Sequence, residues 1–116
     1  MDILVNVVGQ KMKIATNFRN LVAGSQNFVR FCFCLDNAWD GLTNTARFTQ
    51  GSDHYDAELD LSNRCFLPPE IGVGKCTIAL CGTGTNDLAE DEVVATTDCV
   101  EITIASCPID TTSINT

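Results

Sequence analysis

The sequence predicts a single all-β domain, built as a sandwich of short strands. Apolar and polar residues alternate over several short stretches, which is the pattern of strands with one buried face. Gly, Pro, Asn and Asp separate these stretches, and no segment keeps the period of an amphipathic helix. A length of 116 residues suits one domain of ordinary size. These observations favour a sandwich of about seven to nine strands, with a barrel as the alternative.

The first two strands are predicted to form a hairpin. Ile3–Val8 is apolar and rich in β-branched residues, and Lys11–Phe18 alternates between apolar and polar side chains. The Gly9-Gln10 pair between them is typical of a two-residue turn. Arg19–Gln26 is then predicted to be a connection.

The next strand, Asn27–Leu35, has two largely apolar faces. One face is formed by Val29, Phe31, Phe33 and Leu35, and the other by Arg30, Cys32 and Cys34. A strand that is apolar on both sides is typical of a central position in a sheet, or of a strand that a partner covers. Cys32 and Cys34 are therefore expected to be buried.

The remaining strands follow from the same alternation. They are predicted at Leu42–Gln50, His54–Leu61, a short piece before Pro68, Lys75–Gly82 and, as one strand or a pair, Val93–Cys107. In His54–Leu61 the residues expected to face the core are Tyr55, Ala57, Leu59 and Leu61.

Two polar segments complete the chain. Thr83–Glu92 is predicted to be an acidic loop, and Pro108–Thr116 a polar tail that leaves the domain. The sandwich is therefore expected to occupy residues 1–107.

Charge and targeting signals narrow the class of protein. Seven Lys and Arg against 15 Asp and Glu give a formal net charge of −8, which disfavours nucleic acid and anionic membrane as partners. The segment "MDILVNVVGQ" lacks the basic and long apolar regions of a secretory signal, and no apolar run approaches a membrane span. We therefore expect the chain to fold in a cytoplasm.

The seven cysteines are predicted to be reduced and mostly buried. Their odd number leaves at least one unpaired, and a cytoplasmic compartment keeps thiols reduced. No C-x2-C pair occurs and the chain has one histidine, His54, so a zinc site of the usual kind is not predicted.

No catalytic constellation can be assembled from the sequence. His54 is expected on a solvent-facing side of its strand, together with Asp56, Glu58 and Asp60. The acids between Asp87 and Glu92 lack the residue order of a calcium loop, and the glycine-rich stretches lack the full phosphate-loop pattern. The sequence thus predicts a protein that is not an enzyme and binds no cofactor.

The polar corner "DNAWDG" is the candidate site, with Asp36, Trp39, Asp40 and Gly41 as its residues. Asp36 suits a strand end because its side chain can bind the local backbone, and Gly41 permits a tight turn. Trp39, the only tryptophan, is placed to cover the open end of a sandwich. The alternative is that Trp39 contacts a partner at an interface.

The order of these elements resembles a known family. Matching positions are Phe31, Phe33, Asp36, Trp39, Gly41, Ala46, Phe48, Cys65, Pro68, Gly74, Gly82, Thr97, Val100 and Ile102. This ordered set, spanning Asn27 to Ile104, resembles the small immunoglobulin-like domain at the N-terminus of phage and prophage tail proteins, related to the baseplate upper protein family. Cys34 and Leu35 depart from the pattern between Phe33 and Asp36, and Cys76 stands where an aromatic residue is common.

The resemblance implies an immunoglobulin-like antiparallel β-sandwich with a structural role in a virion. It would be assembled in the cytoplasm of a bacterial host and would dock on the tail, the baseplate or other virion proteins, as a homo-oligomer in the particle. One alternative is a capsid decoration or head-fibre protein with the same fold. Another is a carbohydrate-binding module for host attachment. Such modules usually display several exposed aromatic residues on one face, whereas Trp39 and Tyr55 are the only Trp and Tyr of this chain.

Overall fold

The computed structural model of the chain describes residues 1–18, 20–85 and 92–108. These residues form ten strands and one short 3-10 turn, Asn37–Trp39. The strands are β1 Asp2–Val8, β2 Lys11–Ile14, β3 Leu21–Val22, β4 Arg30–Leu35, β5 Thr43–Gln50, β6 Asp53–Glu58, β7 Arg64–Phe66, β8 Gly74–Thr85, β9 Glu92–Thr96 and β10 Val100–Ala105.

The strands form two sheets. Sheet A has the order β2-β1-β4-β7, and sheet B has the order β3-β10-β8-β5-β6, with β9 paired to β8 beside β10. Most neighbours are antiparallel, but β1 pairs with β4 in parallel and β10 pairs with β3 in parallel. Both sheets are therefore mixed, and the expectation of a purely antiparallel arrangement is wrong.

The inner faces of the two sheets share one hydrophobic core. Its fully buried side chains alternate along each strand, as a strand with one buried face requires. They include Ile3, Val5, Val7, Phe31, Ala46, Phe48, Cys76 and Ile78. The aromatic ring of Phe31 in sheet A lies 5.5 Å from that of Phe48 in sheet B, which places the core between the sheets.

The segment that was predicted to form one strand or a pair of strands, Val93–Cys107, forms two strands, β9 and β10. The second half of β8 pairs with β9 and its first half pairs with β10, while three residues separate β9 from β10 opposite two on β8. The extra residue is a bulge, which interrupts the ladder and redirects the chain. Within the bulge, Asp98 accepts a hydrogen bond from the Met12 amide at 2.8 Å and donates its own amide to the Gln10 carbonyl. The bulge thus binds the β1–β2 hairpin of sheet A to the end of sheet B.

Several predicted boundaries need correction. Lys11–Phe18 ends as a strand at Ile14, and the Arg19–Gln26 connection contains the short strand β3. His54–Leu61 ends at Glu58, and Leu61, which was expected in the core, is fully exposed. The cause is a tight turn in which Asp60 accepts hydrogen bonds from the amides of Ser62 and Arg64, so the chain leaves the sheet before Leu61.

Two predicted segments lie largely outside the described residues. The acidic loop Thr83–Glu92 begins as a continuation of β8 to Thr85, and β9 begins at Glu92, but residues 86–91 are outside the description. The polar tail is described only at Pro108, so the domain boundary at residue 107 stays a prediction.

Candidate interaction surfaces

The corner at Asp36–Gly41 is built around one residue of the first hairpin, Gly9. Asp36 precedes the 3-10 turn, and its carboxylate accepts hydrogen bonds from the Ala38 amide at 3.1 Å and the Gly9 amide at 2.7 Å. Gly9 adopts a φ of +60°, which a glycine takes without steric cost. The side chain of Asp36 therefore stabilises its own turn and fixes the hairpin turn between β1 and β2.

Trp39 binds the same residue from its carbonyl side. Its indole Nε1 donates a hydrogen bond to the Gly9 carbonyl at 2.9 Å, and the side chain is only 3% exposed. A buried indole needs such a partner for its polar end. Asp36 and Trp39 together satisfy both backbone groups of Gly9.

The ring of Trp39 rests against a glycine in sheet B. A Cβ atom placed on Gly82 of β8 would lie 3.0 Å from the indole Cε3 and Cζ3 atoms and 2.5 Å from Asn44 Oδ1. The absence of a side chain at Gly82 is thus what admits the indole between the sheets. Asn44 is buried beside them, and its Oδ1 has no hydrogen-bond partner among the described residues.

The structure separates the four candidate residues of the corner. Trp39 lies in the core and covers the end of the two sheets, and Asp36 is half-buried in the hydrogen bonds just described. Asp40 and Gly41 are exposed, so a contact of the corner with a partner would involve these two residues. Their role at an interface stays a prediction.

The outer face of sheet A combines apolar and basic side chains. It consists of Lys11, Lys13, Asp2, Leu4, Asn6, Val8, Arg30, Cys32, Cys34, Arg64 and Phe66. Leu4 is 46% exposed and Phe66 is 43% exposed, and Leu4 lies directly beside Cys32 in the strand register. Exposed apolar side chains that adjoin one another are typical of a contact surface, whereas scattered ones are ordinary.

Cys32 and Cys34 lie in the middle of this face rather than in the core. β4 is a central strand, as predicted, but Cys32 is only half-buried and Cys34 is exposed. The expectation that both would be buried is wrong for this chain, because nothing in the described residues covers the outer face of sheet A. The alternation of β4 identified the two faces correctly and left open which of them has a covering layer.

Two ion pairs border the face on its β7 side. The Arg30 guanidinium donates two hydrogen bonds to Asp2, at 2.9 and 3.0 Å, and these hold the pKa of the Asp2 carboxyl below its usual value. In the second ion pair, Arg64 Nε lies 3.3 Å from Asp60 Oδ2. On the β2 side, Lys11 and Lys13 are exposed. Because Arg30 and Arg64 are each paired with a carboxylate, the excess positive charge of the face lies on its β2 side, at Lys11 and Lys13.

The cysteines of the core differ from those of the outer face. Cys65 and Cys76 are buried among apolar side chains, and burial raises the pKa of the Cys65 thiol to about 12 and that of Cys76 to about 11. The thiolate is the reactive form, so burial and raised pKa both protect these two residues from alkylation.

A pulse of iodoacetamide on the native protein is expected to label Cys34 and Cys99 first. Both are exposed, whereas Cys65 and Cys76 should react only after denaturation in urea. Peptide mass spectrometry of native and denatured samples measures the difference, with the denatured sample as the control for intrinsic reactivity. Equal labelling of Cys65 and Cys34 in the native protein would contradict the assignment of the two faces.

The outer face of sheet B has a different composition. It consists of Val22, Thr43, Thr45, Arg47, Thr49, His54, Asp56, Glu58, Lys75, Thr77, Ala79, Cys81, Thr83, Glu92, Val94, Thr96, Glu101, Thr103 and Ala105. Arg47 donates two hydrogen bonds to Asp56, at 2.8 and 2.9 Å. Beside this pair is a hollow of about 460 Å³ whose lining includes Thr45, Ala79, Cys81, Thr83 and Thr96. His54 is exposed here, as predicted.

Comparison of the chain with protein-family models, curated proteins and solved structures finds no match. Among the described residues, no cluster of three or more His, Cys, Asp or Glu side chains is arranged to hold a metal ion. No helix in that part of the chain has the length and apolar character needed to cross a membrane.

Sequence reasoning missed the two surfaces that the sheets present. A signal was present in β1, where Ile3, Val5 and Val7 alternate with Leu4 and Asn6 and so assign Leu4 to the outer face. Asp98 was missed as well, because a carboxylate in a bulge between two strands has no local motif that marks it.

Proposed function

We propose that this chain is an immunoglobulin-like β-sandwich and a structural subunit of a tailed phage or prophage particle, where it packs against other virion proteins. The observation that carries the proposal is the outer face of sheet A. It exposes Leu4 and Cys34 on the two central strands and Phe66 on the edge strand β7, on a domain with a net charge of −8. A surface of this kind is stabilised when a protein partner covers it.

The residues of the family resemblance support the same proposal. Asp36 and Trp39, which belong to one turn, both bind Gly9, and the Trp39 ring rests against Gly82, which is distant in the sequence. A set of residues with a joint structural role is a more specific pattern than the same residues scattered through a fold. The joint role of these residues in one corner supports the proposal of an immunoglobulin-like domain of this family.

Sugar binding finds less support. Modules that bind carbohydrate stack sugar rings on exposed aromatic side chains. Trp39 is buried, and Tyr55 lies half-buried on the inner face of β6. The tryptophan and the tyrosine are thus not available on the surface, and the exposed aromatic side chains among the described residues are those of Phe28 and Phe66.

Immunogold labelling of purified particles tests the proposal. An antibody raised against the recombinant chain is applied to particles that were induced from the host and purified by density gradient, with preimmune serum as the control. We expect gold at the tail end of the particle. Gold on the capsid would favour the decoration-protein alternative, and particle fractions without the chain by labelling and mass spectrometry would overturn a virion role.

A further inference from the structure

The two outer faces of the domain carry opposite charge. At the strand positions of the outer face of sheet A there are four basic side chains and one carboxylate. At those of the outer face of sheet B there are two basic side chains and four carboxylates. The chain as a whole has a net charge of −8, so the excess of basic residues on sheet A is a local feature that overall composition does not explain.

Each face also has an apolar region inside its charged margin. On sheet A this region contains Leu4, Cys32 and Cys34 on the two central strands, and Phe66 adds apolar surface at the β7 edge. On sheet B it contains Ala79 and Val94 with the methyl groups of neighbouring threonines, around the hollow of about 460 Å³. Interfaces commonly combine an apolar centre with a polar rim, and both faces have this arrangement.

The edge strands are less suitable for association. β2 carries Lys11 and Lys13 at the edge of sheet A, and β6 carries Asp56 and Glu58 at the edge of sheet B. Charged side chains on an edge strand oppose pairing with the edge of another sheet. Extension of the sheets through these two edges, β2 and β6, is therefore disfavoured.

We propose that copies of this chain associate head to tail, with the outer face of sheet A of one copy against the outer face of sheet B of the next. The basic β2 margin of sheet A in one copy then meets the acidic side chains of sheet B in the next. Contact between two identical faces would instead bring like charges together. Such a contact joins two different surfaces, so it repeats into a ring or a filament unless another protein ends the series. This inference rests on the proposed function, because it names the partner of the same apolar face.

Sedimentation velocity of the purified chain tests the contact. The series extends to about 1 mM, the range of weak specific complexes, under reducing conditions and at two salt concentrations. We expect concentration-dependent association that weakens at the higher salt concentration because ions screen exposed charges. A chain that stays monomeric throughout the series would overturn the proposal.

Charge reversals distinguish the head-to-tail contact from other dimers. Lys13→Glu on sheet A and Glu58→Lys on sheet B should each weaken association by about tenfold, since like charges then face each other. An equimolar mixture of the two variants should regain association, because the unaltered face of each binds the unaltered face of the other. The matched controls are Lys75→Glu, which adds acid to the acidic face, and Glu70→Lys, which lies in the loop before β8; neither should weaken association.

The outcomes separate the models. If Lys13→Glu weakens association but Glu58→Lys does not, the outer face of sheet B is not the partner of Lys13 and the head-to-tail arrangement is wrong. If neither variant has an effect, both faces are excluded. Circular dichroism and thermal melts confirm that the variants are folded. Because the measurement uses the isolated chain, its failure leaves the labelling of particles as an independent test of the virion role.

Discussion

Replacing Trp39 by alanine is expected to lower the free energy of unfolding by about 3–5 kcal/mol, which is typical of a large aromatic side chain lost from a core. The indole is almost completely buried, and its removal leaves a cavity between the sheets and an unpaired Gly9 carbonyl. The free energy of unfolding of natural domains is only about 5–15 kcal/mol, so this change removes a large share of it. Urea denaturation followed by circular dichroism measures it, because the variant has no tryptophan for fluorescence.

A second variant separates packing from hydrogen bonding. Trp39→Phe keeps an aromatic ring but removes the Nε1 donor, so it should lose less stability than Trp39→Ala. If Trp39→Ala has the stability of the parent chain, Trp39 does not cover the core as described. If it also retains assembly into particles, the residue has neither a structural nor an interface role.

Adding one methyl group at Gly82 is expected to destabilise the protein by about 1–3 kcal/mol through overpacking. The new Cβ in Gly82→Ala would meet Asn44 Oδ1 at 2.5 Å and the Trp39 ring at 3.0 Å, so the ring or the strand must shift. Where no neighbour is close, alanine in a strand is more stable than glycine. A loss of stability in Gly82→Ala would therefore indicate the close contact with the indole and Asn44. The midpoint of urea denaturation measures the effect.

Gly72→Ala is the matched control for Gly82→Ala. A Cβ at Gly72 has its nearest neighbour, Gln50 Oε1, at an ordinary contact distance of 3.7 Å. Alanine there should be neutral or should stabilise by up to about 1 kcal/mol, because it restricts the unfolded chain. Equal losses at Gly72 and Gly82 would show that the effect does not come from the indole.

Local chemistry was sufficient to predict much of the fold. The Gly9-Gln10 turn, the alternation of β4 and β8 and the corner after Asp36 each depend on neighbours in the sequence, and the structure confirms them. Trp39 at the end of the core also follows from a single aromatic residue in a polar turn. These features are encoded within a few residues of where they appear.

The features that were missed depend on distant parts of the chain. The parallel pairing of β1 with β4 is one of these features, because the packing of whole sheets decides which strand lies beside β1. Leu61 fits the alternation of β6, but the turn made by Asp60 ends the strand before it. Cys34 looks like a core residue in sequence, and its exposure reflects the lack of a third layer over sheet A in the described residues.

The hydrogen bond between Asp98 and Met12 has a consequence for the order of folding. It joins residues 86 positions apart, and it completes the edge of the β1–β2 hairpin. During synthesis, the Met12 amide must remain with water until Asp98 has emerged. Contacts of such large sequence separation carry a large loop-closure cost and are typical of slow-folding β proteins. A nascent chain that stops short of Asp98 therefore has a β1–β2 hairpin without its final partner.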